Sequence, residues 1–107
     1  MDVISPAGDF NEPLPVATWI HGGGFFKGSS SDLRYNLSFI VSQSVKSNQP
    51  MTGVSFNYRL GPWNFLAGPA MNDTGNSNLG LHDQRLAPHW IQENIQGFGG
   101  DHEKVTI

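Results

Sequence analysis

The sequence has no cysteine and few cations, with six lysines and arginines against nine acidic residues and a net charge of −3 over 107 residues. Without thiols there is no disulfide and no thiolate metal ligand, although that leaves the compartment open. So little positive charge offers no basic patch to neutralise phosphates, which argues against nucleic acid and anionic membranes as partners. No apolar run approaches the ~20 residues of a transmembrane helix. Met1-Asp2-Val3-Ile4-Ser5-Pro6 has no basic stretch leading into an apolar core, so the chain reads as soluble, with no signal peptide. No internal repeat or low-complexity tract is present. The sequons at Asn36 and Asn72 are about what chance gives in a chain this rich in Asn, Ser and Thr.

What is present is a near-ordinary globular composition, 37% hydrophobic and 14% charged. Prolines and polar residues over 5–15 read as a surface loop leading into an apolar strand, Val16-Ala17-Thr18-Trp19-Ile20. The spacing of Leu37, Ile40, Val41 and Val45 predicts an amphipathic helix over 33–47, which Asn48-Gln49-Pro50 breaks. Val54-Ser55-Phe56-Asn57-Tyr58 is a second strand candidate. Strand, helix, strand at this spacing is a βαβ unit with two parallel strands. Residues 61–80 read as a long irregular connection. Asp83 caps a second helix through about Gln96, with Leu86, Trp90, Ile91 and Ile95 on one face. Gly97-Phe98-Gly99-Gly100 stops it, and Val105-Thr106-Ile107 begins a third strand. The expected fold class is therefore α/β, with about three mostly parallel strands and two helices. Most aromatic residues, Trp19, Trp63 and Phe98 among them, are expected in the core.

The residues with chemistry follow the first strand: His21-Gly22-Gly23-Gly24-Phe25. Three residues without Cβ atoms let backbone N–H groups converge on one point, and convergent donors stabilise an oxyanion on an ester carbonyl. On local grounds alone a plain turn is the readier explanation of three glycines. The carboxyl end of a strand in a βαβ unit favours the catalytic reading, because open α/β sheets bind ligands there. A phosphate loop fits badly, with no G-x-G-x-x-G and no G-K-[ST]. His21, His82, His89 and His102 lie in no metal-ligand spacing, so neither a metal nor a cofactor is expected. His21 can order the glycine loop by donating a ring N–H to a backbone carbonyl. Arg59 and Asp83 lie at element boundaries and could pair, although a solvated charge and a helix cap are the default. Phe25 and Phe26, beside the loop, are candidates to line an acyl pocket. No serine stands in a G-x-S-x-G setting.

Three segments coincide in order and spacing: Trp19 to Ser29 with the glycine tract, Val54 to Gly68 containing Asn57-Tyr58-Arg59-Leu60-Gly61, and Asn78 to Leu86 containing Gly80-Leu81-His82-Asp83-Gln84. Together they resemble the type-B carboxylesterase and lipase family of α/β-hydrolases, and the likeness covers nearly the whole chain. The resemblance implies oxyanion-hole N–H groups on Gly23 and Gly24. It also implies a small-molecule or lipid ester substrate for the full-length parent, whose relatives are often secreted. It places the serine elbow just after a strand like Val105-Thr106-Ile107, with the catalytic acid and histidine further on. Residues 1–107 are therefore expected to be a partial domain, truncated at both ends and inactive alone. Uncovered sheet edges would favour marginal stability and self-association. Asp2-Val3-Ile4 resembles the tail of an earlier family strand. Pro88 stands where the family has an aliphatic residue, so the second helix should start late or kink. Asn64 replaces a glycine, which puts that turn in doubt if it needs positive φ. The alternative from another class is a non-catalytic α/β module that binds a ligand or protein partner through Phe25 and Phe26.

Overall fold

The computed structural model describes residues 1–65, 68–75 and 77–107, with only the backbone of Trp63. Leu66, Ala67 and Asn76, which fall in the expected irregular connection, lie outside the described residues, as does the expected burial of Trp63. In chain order come β1 (Asp2–Ile4), β2 (Leu14–Ile20), α1 (Ser38–Lys46), β3 (Thr52–Phe56), α2 (Pro69–Asp73), α3 (Leu79–Asn94) and β4 (Gly100–Thr106). Short 3-10 turns occupy Leu33–Tyr35, Pro62–Asn64 and Ile95–Phe98.

The strands form one sheet in the order β1-β3-β2-β4. Both β3 and β4 run parallel to β2, as the βαβ pattern requires. The sheet is nonetheless mixed, because β1 pairs antiparallel with β3 through Val3 and Val54. The α/β class with mostly parallel strands holds, and the strand beyond the expected three is Asp2–Ile4, the segment that resembles an earlier family strand. A short N-terminal segment covers the free edge of β3, a pairing that no local sequence pattern announces. The path from β3 to β4 crosses back over β2, so α1 and α3 pack on opposite faces.

The faces follow from the register. Val16, Thr18 and Ile20 stand opposite Thr52, Val54 and Phe56, and this face receives α3. Val16, Val54, Ile91 and Ile95 form one buried cluster, while Phe56, Tyr58 and Ala87 form a second nearer the carboxyl ends of the strands. On the other face Gly53 admits α1: a Cβ there would stand 3.2 Å from both Leu37 and Val41.

Several expectations need correction. The first helix begins at Ser38, after the turn at Leu33–Tyr35, and ends where Asn48 turns left-handed at φ 55°. The second begins at Leu79, so Asp83 lies in its second turn and does not cap it. Pro69, whose fixed φ suits a first turn, starts the short α2 inside the supposed irregular connection. Helix α3 runs on through Pro88, which neither delays nor ends it, although the Gln84 carbonyl loses its i+4 donor. Asn64 lies in a 3-10 turn without positive φ and donates its side-chain amide to the Leu60 carbonyl. Trp19 and Phe98 are exposed, and Leu86 is 66% exposed although helical spacing put it beside Ile91.

Candidate functional site

The glycine loop leaves the carboxyl end of β2. Gly23 has φ 125°, and its carbonyl accepts from the N–H groups of Phe26 (3.1 Å) and Lys27 (3.3 Å), closing a tight turn. A Cβ on Gly23 would lie 1.7 Å from the Lys27 carbonyl oxygen, so no other residue fits this turn. Gly24 has φ 62°, and a Cβ there would meet nothing within 4 Å. Both glycines are exposed, and among the described residues nothing accepts from their N–H groups. Two neighbouring donors thus stand free at the end of a buried parallel strand, an arrangement able to hold an anionic oxygen.

Phe25 and Phe26 differ in their surroundings. Phe25, at φ 64°, packs against Phe65 at 4.9 Å between ring centroids and sets its ring edge-on to Tyr58. Phe26 is 71% exposed. His21 is buried, and its Nδ1–H donates to the Gly22 carbonyl at 2.9 Å, the ordering role its position suggested. A carbonyl can only accept, which fixes the proton on Nδ1. The Nε2 atom is buried without a hydrogen-bond partner among the described residues.

The three residues after β3 each grip a different part of the site. Asn57 accepts the Ser30 N–H at 2.8 Å, and Ser30 donates its hydroxyl to Asp2 on β1, which ties down the loop's far end. Tyr58 donates its hydroxyl to the His21 carbonyl at 2.8 Å. Arg59 pairs with Asp83: its Nε and backbone N–H donate to Oδ2 at 2.8 and 2.9 Å, and its Nη2 donates to Oδ1 at 2.7 Å. Sequence reasoning offered this pair only as an option beside a solvated charge. The Asn57 and Tyr58 contacts went unseen; their signal was three consecutive hydrogen-bonding residues directly after a buried strand.

The Asp83 carboxyl is held below its ordinary value near 3.8, first by the Arg59 side-chain hydrogen bond, with burial opposing. A depressed carboxyl stabilises the fold above its ordinary value and loses that contribution as pH falls through the lowered one. In a complete catalytic domain carrying these residues, Asp83→Asn should therefore lower the melting temperature at neutral pH, with the gap to the unsubstituted protein closing in acid. Arg59 is half exposed, so the shift is modest and shrinks with salt. A gap that widens in acid would reverse the sign of this linkage.

Other features lie away from the loop. An open cleft of about 790 Å³ sits at the amino ends of β2 and β3, lined by Leu14, Pro50 and Met51 among others. Among the described residues no three His, Asp or Glu side chains gather as a metal site would need. Among the described residues no helix is long and apolar enough to cross a membrane.

Comparison with known proteins gives a consistent result. The family model described as "Carboxylesterase family" matches residues 1–107. Lipase 2 of Diutina rugosa is 49% identical over 108 residues, covering 100% of this chain and 19% of its own length. The para-nitrobenzyl esterase of Bacillus subtilis is 44% identical over 94 residues, covering 88% of this chain and 18% of its own. A solved structure of PNB esterase superposes with a TM-score of 0.77 at 41% identity, over 92% of this chain and 20% of that one. The chain spans about a fifth of the length of the curated relatives it matches.

Proposed function

Because the chain belongs to the carboxylesterase family, we propose that it supplies the oxyanion-binding loop of a serine carboxylic-ester hydrolase of the type-B group. Gly23 and Gly24 donate their N–H groups to the oxygen that becomes negative as a serine attacks the ester carbonyl. Phe25 and Phe26 flank the acyl chain beside it. The substrate class is a small-molecule or lipid ester, in keeping with relatives named lipase and para-nitrobenzyl esterase. The observation that carries this reading is the pair of free N–H groups on two left-handed glycines at the end of β2.

The 107 residues are read as part of a larger catalytic domain. A third oxyanion donor, the nucleophile, the acid and the base belong to other parts of such a domain. The chain alone should therefore hydrolyse a p-nitrophenyl ester no faster than its Gly23→Pro variant. A clear excess over that control would show a complete site in these residues. With sheet edges and apolar side chains such as Leu33 and Phe39 exposed, the purified chain should also self-associate. A monomeric gel-filtration peak with a cooperative melt would count against that.

The positive test exchanges these residues for the matching segment of the Bacillus subtilis para-nitrobenzyl esterase, which provides the remainder of a catalytic domain. Hydrolysis of a p-nitrophenyl ester should be retained. A folded exchange enzyme without activity would overturn the reading.

A further inference from the structure

The glycine loop is braced from the β3 side, and we propose that Tyr58 is the positioning residue that sets its oxyanion-binding shape. The inference rests on the oxyanion reading of Gly23 and Gly24.

Tyr58 is buried, fixed beneath by Phe56 and by Ala87 of α3. Its ring stacks on His21 with centroids 4.6 Å apart and planes 16° from parallel. Its hydroxyl donates to the His21 carbonyl, the last peptide group before the glycines. One residue thus holds His21 by ring and by backbone together. His21 passes the constraint on, because its Nδ1–H holds the Gly22 carbonyl. The returning end of the loop lies against the same ring: a Cβ on Gly28 would stand 2.6 Å from His21 Nδ1. Phe25 completes the brace, meeting Tyr58 edge-on while its carbonyl accepts the Gly61 N–H at 2.8 Å.

The loop is therefore held at His21, Gly22 and Phe25, with Gly28 packed against the His21 ring, and among the described residues the Gly23 and Gly24 N–H groups between those ties meet no acceptor. Donors held in place before reaction need no reorganisation as charge develops, and that is how an oxyanion site works. Burial raises the Tyr58 hydroxyl above its ordinary range, so it keeps the proton it donates throughout the neutral region.

The test uses the exchange enzyme described above, with rates expressed per titrated active site. Tyr58→Phe keeps the stacked ring and removes only the donor. It should lower kcat about tenfold with KM within about twofold, the size expected for one buried hydrogen bond felt mainly in the transition state. Affinity for a trifluoromethyl ketone, whose serine adduct places an oxyanion in the hole, should fall by the same factor. A residue that only stabilised the fold would lower the melting temperature and the number of active sites, leaving kcat per site and ketone affinity unchanged. That outcome overturns the proposal. Gly23→Ala is the control for the underlying reading. If it loses activity while Tyr58→Phe does not, the positioning role alone falls. If neither variant changes kcat, the oxyanion reading falls with it.

Discussion

In the exchange enzyme, Gly23→Ala is expected to lower kcat by about 10²- to 10³-fold, the loss typical when one oxyanion donor is removed. The cause is steric. A Cβ on Gly23 would lie 1.7 Å from the Lys27 carbonyl oxygen, an atom of the backbone that cannot swing aside as a side chain would. Relief requires opening the turn in which Gly23 accepts from Phe26 and Lys27, and that reorients the Gly23–Gly24 peptide. Gly24→Ala is the informative partner. Its Cβ has open space, so the cost is mainly that of holding an alanine at φ 62°, on the order of 1–2 kcal/mol. Its loss should be clearly smaller than that of Gly23→Ala, with KM little affected in either variant. Steady-state hydrolysis of a p-nitrophenyl ester decides the matter. Equal losses would show that the glycines are required only as glycines, and not for this turn.

The contrast between Gly23 and Gly24 also marks how far the sequence could be read. Composition and motif order pointed to an α/β fold and to the glycine tract after β2, because both rest on local chemistry: a buried apolar strand, and residues without Cβ atoms at its end. What separates the two glycines is the position of the Lys27 carbonyl, a property of the folded turn. Asp2-Val3-Ile4 is legible as a strand only through the family resemblance, and its antiparallel pairing is not legible at all, since its partner Val54 is far along the chain and the pairing has no periodic signature. Asp83 shows the same limit. A carboxylate near a helix start reads as a cap, yet four residues of helix precede it and its oxygens go to Arg59. The sequence reads Tyr58 as the end of a strand and, with most aromatics, as core; it is buried, but it lies two residues past the end of β3. Its hydroxyl, which the apolar pattern ignores, makes the contact that reaches the loop.

Ile91→Ala should be the most damaging substitution away from the loop. Ile91 is fully buried between α3 and the sheet, with Val16, Val54 and Ile95 around it and Trp90 and Val105 at the margin. Truncating a buried isoleucine costs about 2–5 kcal/mol, from lost transfer energy and the cavity left behind. Whole domains are stable by only about 5–15 kcal/mol, so a chain with so small a core has little to spare. Leu86→Ala, five residues earlier on the same helix, is the control. Leu86 stands largely in solvent, so the change should stay within about 0.5 kcal/mol. Urea unfolding of the exchange enzyme, followed by circular dichroism, compares the two. Similar losses would mean that α3 is turned differently on the sheet. The expected difference has a consequence for the site, because α3 also carries Ala87 under Tyr58 and Asp83 against Arg59. Loosening Ile91 should therefore release the brace on the glycine loop as well, so that at temperatures below the melt Ile91→Ala lowers kcat per active site while Leu86→Ala does not.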